Sequence, residues 1–252
     1  MRDNKMKAGF AVCALWISGG LLFAQDATSR QKLDLPKAPT LVMVKTLPGK
    51  GTLVMHVNVG GVNIVRSDME KTIRLTIDPK AFYDDATQIT QTRFIHRVPT
   101  IDPKAFYDDA TVKSWVRRFD VAGDRAWIDL KLPDHGNNGN HHHSSPEITI
   151  AVPAQTDLKL DLGVGQLTVR GVEGNKELHV GIGELDVGLS DASQYHEIQT
   201  SSKLGEADDD TSNQHSGGFF PKTHHTSVQG PYKLHATVGI GQVNVARNAN
   251  ER

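Results

Sequence analysis

Cysteine is all but missing from this chain: the only one, Cys13, lies in an apolar run near the amino terminus. That leaves no disulfide framework and no thiolate metal site. Charge of one sign is lacking too, since 28 Lys and Arg against 29 Asp and Glu give a formal net charge of −1. A nucleic-acid partner would want a basic face, so this balance argues against one. Aromatic residues are 6% of the chain, and Trp115 and Trp127 are the only tryptophans after the amino-terminal run, so a sugar platform of stacked rings is poorly supported. Also missing are a G-x-S-x-G elbow, an H-E-x-x-H helix and a Walker loop, the usual sequence marks of hydrolase, metalloprotease and nucleotide chemistry.

What is present begins with Arg2, Lys5 and Lys7 ahead of an apolar run from Ala8 to Phe23, ending at Ala24. That is the layout of a secretory signal peptide. The run is shorter than the roughly 20 apolar residues that span a bilayer, and no later segment is apolar enough to do so. Residues 1–24 are therefore expected to be removed and 25–40 to form a linker, leaving an exported protein of the periplasm, cell surface or extracellular space. Loss of Arg2, Lys5 and Lys7 together with Asp3 takes the formal charge from −1 to −3. Cys13 leaves with the signal, so no thiol nucleophile remains.

The body of the chain is organised by a repeat. "LGVGQLTV", "VGIGELDV" and "VGIGQVNV" place a glycine before a polar–apolar pair, with Gly165, Gly183, Gly205 and Gly241 as reference positions and Gly60 in a looser copy. The steps between Gly165, Gly183, Gly205 and Gly241 are 18, 22 and 36 residues, and periods in this range signal stacked arrays. Before the glycine, apolar residues alternate as in a half-buried strand: Leu158, Leu160, Leu162 and Val164, or Leu178, Val180 and Ile182. After it the alternation resumes one residue out of step, at Leu167 and Val169 or Leu185 and Val187. Val59 and Val62, and Ile240 and Val243, show the same slip. A straight strand would turn those side chains to the other face. A bulge or corner at a glycine of positive φ keeps them inward. A dinucleotide fingerprint is excluded, because Thr168 and Asp186 stand where its third glycine belongs and no helix follows. The expectation is an all-β fold, a β-solenoid or rolled β-sheet in one elongated domain. Its copies are expected to stack in chain order.

The remainder divides around this array. Residues 41–146 read as an amino-terminal β region containing "KTIRLTI" and a hairpin turning at Ala122-Gly123-Asp124, and 147–248 as the repeats. "TIDPKAFYDDAT" occurs identically at 76–87 and 100–111, a duplication whose Asp-Pro pairs suggest a short helix in each copy. The first copy is expected to be an added loop. Residues 134–146 form a His-rich polar loop, and 208–231 read as a long exposed loop interrupting the array.

Candidate binding groups follow from parity. Gln166 and Thr168, Glu184 and Asp186, Glu206 and Asp208, and Gln242 and Asn244 lie one and three residues after their glycines, on the outward face. Stacked in register they make a ladder, acidic in its middle, and Glu184, Asp186, Glu206 and Asp208 are candidate ligands for calcium or hydrogen-bonding partners for a glycan. The simpler expectation is that such a row serves only as a solvated face that blocks edge aggregation. His56, Asp161 and His179 are outward too. His141, His142 and His143, with His135, are candidate ligands for zinc, nickel or copper, and His215, His224 and His225 pose the same question. In both places a solvated loop with adventitious metal affinity is the simpler expectation, since adjacent imidazoles cannot all reach one ion and no second shell is evident. No cofactor is implied.

With its signal, its cysteine-free mature chain, the repeated "GVGQLTV", "GIGELDV" and "GIGQVNV", and the segment Val152-Pro153 before them, the chain resembles the putative-adhesin domain family of bacterial envelope proteins. The likeness is strongest over 147–245. It implies a β-solenoid or rolled β fold and export, and carries no catalytic residue, because its motif positions are turn glycines and core aliphatics. The expected function is a non-enzymatic surface or periplasmic binding and structural module, with an envelope polysaccharide or a protein surface as partner. A carbohydrate-active or metal-dependent enzyme on a β-helix scaffold is the leading alternative, and a periplasmic metal-buffering protein another.

Overall fold

In a computed structural model of the protein, the described residues are 40–79, 109–133, 146–227 and 229–247. They are almost entirely β. In chain order the strands are β1 (Leu41–Thr46), β2 (Thr52–Arg66), β3 (Thr72–Asp78), β4 (Val116–Ala122), β5 (Arg125–Leu130), β6 (Glu147–Val152), β7 (Asp157–Arg170), β8 (Lys176–Leu189), β9 (Tyr195–Asp209), β10 (Gln214–Phe219), β11 (Lys222–Thr226) and β12 (Tyr232–Arg247). One short helix, α1 (Asp109–Ser114), precedes β4. All twelve strands belong to one sheet.

Five long strands carry the repeat. They are parallel neighbours in the order β2, β7, β8, β12, β9, so the reference glycines form one transverse column: Gly60, Gly165, Gly183, Gly241, Gly205. Each has a φ between +133° and +139°. A side chain is excluded there twice over. The backbone conformation disfavours it, and a methyl on Gly165, Gly183, Gly241 or Gly205 would overlap the carbonyl of the adjacent glycine in the column. The expected chain-order stacking is corrected at one point, because β12 inserts between β8 and β9 and seats Gly241 between Gly183 and Gly205.

On either side of the column the interior is aliphatic. β7 buries Leu158, Leu160 and Leu162 before its corner and Leu167 and Val169 after it, and β2, β8 and β12 repeat the pattern in register. A buried Leu or Val contributes about 1.5–3 kcal/mol relative to exposure, so five per strand far outweigh the roughly 1 kcal/mol a glycine costs in ordering. The inward reading went one residue too far, however. Val164, Ile182 and Ile240 are 45%, 50% and 50% exposed and Val59 only half-buried, because the strand has already begun to turn at the residue before them.

The sheet forks at both ends. Residues 52–57 of β2 pair with β5, and residues 61–66 with β6, which leads on to β3 and β1. At the far end β9 pairs with β11 before its corner and with β10 after it. Segment 208–231, expected to be a loop, thus supplies two edge strands. The edges of each fork are linked by side chains. Lys45 of β1 meets Asp120 of β4 at 3.5 Å. Gln214 of β10 donates to the His224 carbonyl of β11 at 3.4 Å and accepts its N–H at 3.2 Å.

The hairpin at Gly123 forms as expected, with β4 antiparallel to β5. Of the duplicated twelve-mer, Thr76–Asp78 finish β3, the strand expected over "KTIRLTI", and Asp109–Thr111 begin α1. Residues 80–108, most of both copies, lie outside the described residues, as do residues 1–39 and 134–145.

Candidate functional site

The face beside the glycine column carries two polar rows fixed by backbone register. The first is Gln166, Glu184, Gln242 and Glu206, and the second is Asn63, Thr168, Asp186, Asn244 and Asp208, continued by His215 of β10. Strand spacing sets neighbours about 4.8 Å apart. Between β8, β12 and β9 the first row and the glycines line an open groove of ≈ 450 Å³, made by Gly183, Glu184, Gly205, Glu206, Gly241 and Gln242. Within the rows, Gln166 donates to Asp186 at 3.2 Å and His215 Nδ1 lies 3.3 Å from Asp208. Asn244 Oδ1, in the middle of the second row, is buried without a hydrogen-bond partner among the described residues.

Insertion of β12 changes what the acidic candidates can do. Glu184 and Asp186 on β8 are separated from Glu206 and Asp208 on β9 by Gln242 and Asn244, so the carboxylates alternate with amides. Among the described residues no three His, Cys, Asp or Glu side chains are placed to hold a metal ion. The four acids stand in two rows in which each is flanked by an amide of β12. His141, His142, His143 and His135 lie outside the described residues. His56 and Asp161 are exposed neighbours with Nδ1 and Oδ2 2.9 Å apart, and His179 is next in the same row.

Two clusters were not anticipated. Glu197 of β9 is reached by His224 of β11 at 3.4 Å, and by Lys233 and His235 of β12 at 3.3 and 3.6 Å. The Lys233 hydrogen bond and positive charge hold its carboxyl below the ordinary range. The ammonium of Lys233 opposes a metal cation at this point, although two imidazoles and a carboxylate converge. The second cluster is buried. Lys176, in register with Leu158 and Leu234, points into the core and donates to the Gly174 carbonyl at 3.1 Å and to the Tyr195 hydroxyl. Burial pushes its pKa down from 10.5 to about 7, against the attraction of Asp157 and Glu173, and pushes Tyr195 up. A lysine at an inward parity position was the one sequence sign of this pair.

No protein-family model matches the chain, and no curated protein matches it. Among solved structures, that of a putative cell adhesion protein from Clostridium sporogenes aligns over 83% of this chain and 100% of its own at 11% identity, with a TM-score of 0.43. A putative adhesin from Bacteroides fragilis aligns over 83% of this chain and 98% of its own at 10% identity, with a TM-score of 0.28.

Proposed function

We propose that this is an exported, adhesin-like binding and structural module of a bacterial envelope, built as a solenoid-like stack of glycine-cornered coils and performing no catalysis. Its binding face is the pair of polar rows along the column. The observation that carries this reading is the register itself, which presents Gln166, Glu184, Gln242 and Glu206 in line, with Thr168, Asp186, Asn244 and Asp208 in a second row beside them. Side chains held on adjacent strands need no reorganisation to meet an extended polymer whose hydroxyls or amides recur along its length, which limits the ordering cost of binding. An envelope polysaccharide or an extended segment of a surface protein has that chemistry. The groove is open, and its carboxylates alternate with amides, which suits hydrogen bonding along such a polymer.

The test is retention of the protein on peptidoglycan and envelope polysaccharide fractions, compared with the Gln242→Ala/Asn244→Ala variant. Specific retention lost in the variant supports the reading. Equal retention of both, or release of reducing ends from the polymer, overturns it.

A further inference from the structure

We propose that the chain pairs with a second copy of itself through a ridge of exposed apolar side chains that runs alongside the glycine column. Val164, Ile182, Ile240 and Leu204 are 45%, 50%, 50% and 41% exposed and stand side by side on β7, β8, β12 and β9. The row starts at half-buried Val59 and continues to Phe219, which lies opposite Leu204 and is 81% exposed. Phe220, 77% exposed, follows it in the chain. Scattered apolar residues on a surface are ordinary, but an unbroken row across six strands, roughly 24 Å at strand spacing, marks a contact site. Phe220 also holds a φ of 55°, a conformation a bulky residue rarely adopts, and its exposed ring returns nothing to the monomer for it.

What flanks the ridge identifies the occupant. One residue before it stand Gly163, Gly181, Gly239 and Lys203, and two residues after it Gln166, Glu184, Gln242 and Glu206. One flank is therefore flat with an exposed cation at its end, to which Lys222 at the start of β11 adds a second, and the other is raised and acidic. Lys203, Lys222, Glu184 and Glu206 make no ion pair with any described residue, whereas their neighbours Asp186 and Asp208 are bonded to Gln166 and His215. A two-fold axis lying along the ridge sets each aliphatic residue against its own copy and exchanges the flanks. Lys203 then faces Glu206 of the second copy, twice, and the glycine flank gives room to Glu184 and Gln242. That is the self-complementarity of an isologous contact. An anionic lipid surface would meet Glu184 and Glu206 with repulsion. The ridge is narrower than a standard interface, so the dimer is weak and dependent on concentration. The contact covers the first polar row, so a polymer bound along that row competes with the dimer, and only the second row stays open on both copies.

Sedimentation equilibrium of the purified protein over a concentration series at low salt tests this. A monomer–dimer equilibrium in the micromolar range is expected, weakening as salt rises. Ile240→Ser should weaken it at least about tenfold, and so should Lys203→Glu or Glu206→Lys alone, while Lys203→Glu/Glu206→Lys should return to within about threefold of the starting value. The charge changes are at exposed positions, and unaltered circular dichroism melts check that each variant folds. A protein that stays monomeric at about 1 mM, or a dimer indifferent to all these changes, overturns the proposal. So does a protein that is monomeric alone but sediments with phosphatidylglycerol vesicles through Phe219 and Phe220.

Discussion

The carbonyl of Gly183 occupies the space that a side chain on Gly241 would need. The contact arises only because β12 lies beside β8, and it recurs along the column from Gly60 to Gly205. Gly241→Ala meets both this overlap and a φ of +133°, so it should destabilise the fold by about 3 kcal/mol or more in urea unfolding. Gly61→Ala, next to the column but with open space around it, should change stability by less than about 0.5 kcal/mol. Similar costs for the two would contradict the packing described for the column.

Lys176 makes stability depend on pH in an unusual direction. Its pKa in the fold is about 7, below its ordinary 10.5. Between those values the unfolded chain holds the proton and the folded chain does not, so this site's contribution to stability rises with pH across that window. Below it both states are protonated and the full penalty of burying the charge remains. Lys176→Met should stabilise the protein by about 2 kcal/mol near pH 6, and the gain should shrink towards pH 10. Urea unfolding at several pH values measures this, and a gain independent of pH would count against it.

Glu197 acts in the opposite sense. Its carboxyl is held below the ordinary value of 4.5, so its pairing with Lys233 and the two histidines supports the fold above that value and is lost as pH falls through its folded pKa. Glu197→Gln should flatten the acid limb of the stability profile while leaving the shape of the limb above neutrality unchanged. An unaltered acid limb would show that the exposed cluster adds nothing.

Gln214 links two strands that no backbone ladder joins. Gln214→Ala should cost about 1 kcal/mol and raise hydrogen exchange at the amides of β11 more than at those of β8. A uniform rise would mean that the fork opens only with the whole sheet.

The corners were legible because their cause is local. Positive φ restricts a position to glycine, and the one-residue slip from Leu162 to Leu167 can only mean a bend that keeps one face inward. The order of stacking was not legible, since the spacing of Gly205 and Gly241 marks them as copies without saying which copy lies next to which. Val164 was misread because strict alternation holds up to Leu162, and nothing in the sequence shows that the turn starts at Gly163. Strands β10 and β11 escaped notice for another reason. Edge strands with most residues exposed, such as "QHSGGF" and "KTHHT", have no apolar face to impose alternation, and the Gly and Ser of β10 and the histidines of β11 carry no strand signal. Of the binding face, parity placed each side chain outward, but the alternation of acid and amide followed only from the insertion of β12.

The stacking order β2, β7, β8, β12, β9 underlies both the polar rows and the ridge, and backbone nuclear Overhauser contacts in solution test it most directly. The expected result is contacts from Gly241 to both Gly183 and Gly205, with none between Gly183 and Gly205. Direct contact between Gly183 and Gly205, with Gly241 at the end of the column, would contradict it.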